Sequence, residues 1–252
     1  MAALAAEGVP FARVNPSQVR HFAKGMNQLA KTDKIDAKVL ALFGERMRPK
    51  PTTMPSEKEL EFKALMLRRR QLVEARKAEK IRHHQAAGPE IAGSITRVIA
   101  FFTGEIKVVD EAIEALLAEM PEVAERRDIA DSVPGIAVTI ANTIVANLPE
   151  LGHLSTAKLK KLAGVAPLNN DSSDRHGERH IRGGRAVVRD ALFMAAQTGY
   201  RYNPALKALY DRLRAKGRAH KVAIIACIGK LLSILNALFK TAKPFDVNYA
   251  TR

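Results

Sequence analysis

Residues 164–202 read GVAPLNNDSSDRHGERHIRGGRAVVRDALFMAAQTGYRY. The first half is rich in residues that favour turns: Pro167, Asn169, Asn170, Asp171 and the Gly183-Gly184 pair. From Ala186 onward the apolar residues recur at helical spacing, so the stretch predicts an irregular loop that feeds a helix. Two adjacent serines, Ser172 and Ser173, lie in the loop, and Arg175, Arg179, Arg182, Arg185 and Arg189 follow. A hydroxyl among guanidinium groups beside a helix start suits an anionic oxygen such as a phosphate. A solvated basic loop with a serine cap has the same composition, and the residues leave both readings open.

Working outward, the pattern stays helical. Downstream the spacing predicts helices over Ala186–Tyr202, Pro204–Ala215 and about His220–Phe239. The turn between the last two, RAKGRAHK ending at Lys221, either touches phosphates or faces water. Upstream, Ala130 to Asn147 predicts helix, tight turn, helix. Such a turn, with Gly135 at its centre, can offer backbone N–H groups to a DNA phosphate as helix-hairpin-helix modules do. A plain corner between two helices fits equally, because Ala137 stands where a second glycine is common.

Two long helices are predicted before that, to about Ala87 and from Pro89, joined by Gly88-Pro89. Their expected apolar stripes are Leu60, Ala64, Leu67, Ala78 and Ile81 on one, with Leu65 and Leu72 flanking. On the other they are Ile91, Ile95, Val98, Phe102, Val109, Ala112 and Leu116. This spacing predicts an antiparallel coiled-coil hairpin, and an ordinary helix pair packed on a globular core fits the same residues. The three prolines in Met47–Pro55 mark a boundary before it. At the start, a helix end turns at Gly8-Val9-Pro10 into a short strand, Phe11 to Val14, and a helix follows from Pro16 to about Met26. Thr32 then caps a helix whose first turn carries Asp33 and Asp36. Residues three apart share a face, so both carboxylates can reach one Mg²⁺. Favourable interaction with the helix dipole accounts for the same pair without a metal.

The chain carries 41 Lys+Arg against 26 Asp+Glu, a formal net charge of +15 over 252 residues. The charge is segregated. Residues 1–100 hold 19 basic and 10 acidic side chains, 101–150 hold 3 and 10, and 151–252 hold 19 and 6. Two basic regions around an acidic one imply a nucleic-acid face. With 5% aromatics and no Trp, base stacking is not expected to be the main binding mode. The single cysteine, Cys227, lies in the apolar context VAIIACIGKLL, which predicts a core thiol and excludes an intramolecular disulfide framework. No apolar run long enough for a membrane span and no leader pattern are read from the sequence, so the expectation is a cytoplasmic protein with no membrane partner.

Three blocks, VNPSQVRHFAKGMNQLAKTDKIDAKVLA, VPGIAVTIANTIVANLPELGHLSTAKLKKLAGVAP and the run from Ala166 to Phe239, resemble the insertion-sequence one-ten family of transposases, which are RNA-guided DNA recombinases. The resemblance implies a mainly α fold in three parts. These are a residual α/β piece of a RuvC-like nuclease domain at 1–48, a coiled-coil helical hairpin at 56–120 and an all-α transposase domain at 121–242. It implies Mg²⁺ as cofactor, with Asp33 and Asp36 on the AKTD-x-x-D motif as the last two of four acidic ligands. It implies Ser172 as the nucleophile, on the loop AP-x-N-x-DSG, although Ser173 stands where the glycine is usual and is the rival assignment. Gly229 stands where an arginine is usual. DNA, a guide RNA and further copies of the chain (a dimer or tetramer) are the implied partners. The family's first two acidic residues have no counterpart here, Glu7 lying at no matching position. The chain is therefore expected to be an N-terminally truncated copy with impaired recombination. The competing expectation is a non-catalytic nucleic-acid-binding or assembly protein derived from a transposase.

Overall fold

The computed structural model describes residues 4, 7–30, 32–52, 54–168, 171–172, 175–176, 180–181 and 183–246. It divides into two compact units, Met1–Ser56 and Glu57–Arg252. The architecture is mainly α, as expected.

In the first unit, Gly8 at φ +65° and a hydrogen bond from Val9 N–H to the Leu4 carbonyl end a helical turn. Helix α1 (Pro16–Gly25) starts where the Asn15 side chain accepts from Ser17 N–H, with Pro16 at its first position. Helix α2 (Asp33–Met47) starts at Thr32, whose hydroxyl accepts from Ile35 N–H at 3.3 Å. The two helices pack through Ala23, Val39 and an edge-to-face Phe22–Phe43 pair 5.4 Å apart. Phe11–Val14, expected as a strand, forms no regular ladder among the described residues. Its contacts are a bond from Thr52 N–H to the Phe11 carbonyl and one from Arg13 N–H to the Thr52 hydroxyl, both 2.8 Å.

The second unit opens with helices α3 (Glu57–His84) and α4 (Pro89–Ala118). Gly88, at φ +97°, makes the turn between them. They run antiparallel, because Lys58 pairs with Glu119, Arg69 with Asp110, and Arg76 with Thr103. The buried seam runs through Phe62, Met66 and Leu72 of α3 and Ile106, Ile113, Leu116 and Leu117 of α4. This corrects the stripe expected for α3: Leu60, Leu67 and Ile81 are exposed. On α4, Ile91 and Val98 are exposed too. The reason is tertiary. Leu60, Ala64 and Leu67 line a cleft of about 770 Å³ shared with Ile140, Val187, Ala191 and Met194 of the helices described next.

The remaining elements are α5 (Pro121–Asp131), α6 (Val138–Asn147), α7 (Thr156–Leu162), α8 (Ala186–Tyr202), α9 (Pro204–Ala215) and α10 (His220–Thr241). Among the described residues between α7 and α8 lie four two-residue strands: β1 (Pro167–Leu168), β2 (Asp171–Ser172), β3 (Arg175–His176) and β4 (His180–Ile181). At the centre stands α10, with Ala223, Ile224, Cys227, Ile228, Leu231, Leu232 and Leu235 all fully buried. Burial of each Leu or Ile there contributes about 1.5–3 kcal/mol. By length and composition α10 does qualify as a membrane span, contrary to the sequence expectation, but its apolar face fills this core. Asn236, also buried, accepts from Gly152 N–H and donates to the Leu154 carbonyl, which fastens α10 to the segment before α7.

The hairpin does not stand apart from the helices after it. Phe62, Met66, Ile113, Leu116, Leu117, Met120 and Val145 form one buried cluster, so the base of the hairpin shares a core with α6.

Candidate nucleic-acid interface and serine loop

The loop that carries Ser172 leaves the helical body through a narrow neck. Its two ends meet at Gly164 and Gly184, both at positive φ (+69° and +72°). A methyl group on Gly164 would stand 2.1 Å from the Gly183 carbonyl oxygen, and one on Gly184 would stand 2.2 Å from Gly164 N. Only a residue without Cβ allows that backbone contact. Arg185 N–H closes the neck on the Leu162 carbonyl at 2.7 Å, and Arg189 Nη1 donates to the Gly183 carbonyl at 2.7 Å.

Arg185 then anchors the neck to the body. Its guanidinium makes a two-point ion pair with Glu150, 2.6 Å on each arm, and Nη1 also donates to the Asn147 carbonyl at 2.9 Å. Glu150 is itself held in place. Arg126 donates to the carbonyls of Pro149 and Leu151, on either side of it, and lies 4.7 Å above the Phe239 ring. Burial pulls the Glu150 carboxyl upward, but the Arg185 hydrogen bonds and charge outweigh it and leave the group below its ordinary range. Burial lowers the Arg126 guanidinium, with Glu59 partly offsetting.

Beyond the neck the described residues are paired, where the sequence predicts an irregular loop. Strands β1 and β4 pair antiparallel (Pro167 with Ile181, Leu168 with His180), and β2 and β3 pair inside them (Asp171 with His176, Ser172 with Arg175). With both ends clamped together, two antiparallel segments are the simplest way to satisfy each other's backbone groups. Ser172 holds the last described rung, with Arg175 as its register partner. Ser173, Arg179 and Arg182 lie outside the described residues.

The other residues singled out from sequence fall as follows. Arg185 and Arg189, expected to hold a nucleic-acid backbone, hold Glu150 and the Gly183 carbonyl. Gly135 is at φ +101°, and a methyl group there would stand 2.4 Å from Gly199 Cα, so it is the contact at which the α5–α6 turn lies on α8. Lys221 is exposed in the first turn of α10. Gly229 faces Lys160, whose Cε would lie 3.2 Å from a side chain begun there. Asp33 and Asp36 occupy the first turn of α2 in the first unit, Asp33 exposed and Asp36 half-buried. Among the described residues no three His, Cys, Asp or Glu side chains converge on a point that could hold a metal. Two carboxylates still meet the modest demand of Mg²⁺ for one or two of them beside water and phosphate oxygens, so the pair fits as part of a donor set. Glu150, Arg126 and Gly164 were not recognised from sequence, since their partners are distant along the chain and no spacing rule links them.

Residues 127–211, from α5 across the neck into α9, match the family described as Transposase IS116/IS110/IS902. Residues 1–87 match a second family described as Transposase. The pilin gene-inverting protein of Moraxella bovis is 30% identical over 241 residues, covering 92% of this chain and 73% of that protein. The chain belongs to the IS116/IS110/IS902 transposase family. Its Moraxella lacunata counterpart, also a pilin gene-inverting protein, is 29% identical over the same span. The insertion element IS110 43.6 kDa protein of Streptomyces coelicolor is 28% identical over 153 residues, 59% of this chain and 38% of that protein. Membership in this transposase family makes DNA transposition or recombination the reaction class and DNA the substrate.

Proposed function

We propose that this transposase-family chain works on DNA phosphodiesters through the Ser172 hydroxyl. The carrying observation is the clamped neck, which presents Ser172 and its register partner Arg175 on a paired arm just ahead of α8. The serine oxygen, giving up its proton, forms the bond to phosphorus, and one deoxyribose oxygen leaves as a free hydroxyl. Arg175, and with it Arg179 and Arg182, supply positive charge to the phosphate as negative charge builds there. Asp33 and Asp36 would hold Mg²⁺, which acts when bound as Lewis acid and template. A guide RNA is the proposed source of target selection. Several copies of the chain assemble, a reading supported by exposed apolar side chains on the hairpin: Ile81, Ile91, Val98, Phe101 and Val108.

A second reading, a non-catalytic DNA-binding or assembly subunit, rests on the hairpin and on the positive charge of residues 151–252, 19 basic against 6 acidic side chains. A DNA substrate that traps a covalent serine adduct separates the two. The first reading predicts a Mg²⁺-dependent adduct, absent from Ser172→Ala and retained in Ser173→Ala. Salt-sensitive DNA binding without an adduct supports the second reading. For about six phosphate contacts, affinity falls about a thousandfold from ~50 to ~200 mM salt. A flat salt response counts against both.

A further inference from the structure

The end of α8, the whole of α9 and the start of α10 gather three of the chain's four tyrosines and seven of its 41 basic side chains. The Tyr200 and Tyr210 rings stack with centroids 4.3 Å apart and a 33° tilt. Tyr210 Oη lies 2.8 Å from His220 Nδ1, and the His220 ring stands edge-on to both tyrosines. The Arg201 guanidinium lies 5.4 Å from the Tyr200 centroid, and its Nε donates to Tyr200 Oη at 3.1 Å. Residues 201–221 contain seven Lys and Arg (Arg201, Lys207, Arg212, Arg214, Lys216, Arg218, Lys221) and one acid, Asp211, which Lys207 neutralises at 2.9 Å. Tyr202 is 69% exposed beside this group, and no part of the neck uses it.

We propose that this surface is a binding site for single-stranded nucleic acid, with Tyr202 as a stacking platform and the α9–α10 turn as a phosphate track. Helix α9 has 12 residues, so it runs about 18 Å from Tyr202 to the basic turn, room for about five stacked nucleotides at ~3.4 Å each. The half-buried Tyr200–Tyr210–His220 stack stiffens the corner from which Tyr202 projects. A duplex hides its base faces in its own stack, so an exposed phenol ring rewards only unpaired bases. Positive charge alone would accept either form. The aromatic composition of the whole chain conceals this concentration, because it averages a local cluster over 252 residues.

The test measures fluorescence anisotropy of the full chain with labelled oligo(dT) and oligo(U) of about 20 nucleotides and with a duplex of the same length. Tyr202→Ala is expected to weaken single-strand binding about 5- to 150-fold while duplex affinity stays within about twofold, and Tyr202→Phe to bind like wild type. The ratio of oligo(dT) to oligo(U) affinity tells whether DNA or RNA is the source of the strand. Replacing Arg212 and Lys216 with Gln should lower the salt slope on single strands by about 1.4. An unchanged melting temperature in Tyr202→Ala, expected from its exposure, keeps the comparison clean. Equal losses on duplex and single strand, or no loss on either, overturn the proposal. The serine reading is scored by the covalent adduct and this one by the non-covalent strand affinity of the Tyr202 variants, so the two failures give different results.

Discussion

Substituting Gly164 with Ala tests whether the neck is a built clamp or an incidental crossing. Two costs follow from the geometry. A side chain held at φ +69° costs about 1–2 kcal/mol. The new methyl group would also lie 2.1 Å from the Gly183 carbonyl oxygen and 2.6 Å from Arg189 Nη1. That carbonyl cannot retreat without losing the Arg189 hydrogen bond, and the adjoining Arg185 N–H is tied to Leu162. Overpacking of this kind costs about 1–3 kcal/mol, for a total of about 2–5 kcal/mol. At about 2–4 °C per kcal/mol for a unit of this size, the melting temperature should fall by about 4–20 °C. Gly183→Ala is the internal control. Its φ is +74°, but no atom lies within 4 Å of the added methyl group, so only the conformational cost of about 1–2 kcal/mol applies. Thermal unfolding followed by circular dichroism on both variants isolates the steric part. If Gly164→Ala melts no lower than Gly183→Ala, the two backbone ends are not pressed together as described.

The Glu150–Arg185 pair is expected to respond to acid. Because the folded carboxyl lies below its ordinary value, its stabilisation is full above the usual glutamate range and is lost as pH falls through the folded value. With Glu150 30% and Arg185 38% exposed, Glu150→Gln should cost about 1 kcal/mol at pH 7 and almost nothing near pH 3, read as converging denaturation midpoints. Cys227, fully buried with its thiol pushed up to about 11 and directed at the Leu206 carbonyl, should resist alkylation at pH 8 in the native chain and react once unfolded. Rapid labelling of native protein would contradict the core placement.

How much was legible beforehand divides along one line. Helices α8, α9 and α10 start where sequence places them, because proline, Asn203 capping and apolar spacing act within one or two turns. The face each helix buries was less legible. On α3 the Leu60–Ala64–Leu67 stripe looks like the seam, yet Phe62 and Met66 take that position, since α4 and α6 compete for the same helix. The arm carrying Ser172 was read as irregular because its turn-forming residues say nothing of a clamp that holds its ends together.

The helical order, the segregated charge, the buried cysteine and the stretch on which the serine lies are readable in the primary structure. All of these follow from residue type and near-neighbour spacing. That Arg185 belongs to Glu150, that Gly135 and Gly199 meet backbone to backbone, and that the tyrosines share one corner emerges only when the helices pack. Each of those is a contact between residues remote in the chain or brought together by a turn. Such contacts depend on which faces lose water together, and no local pattern records that.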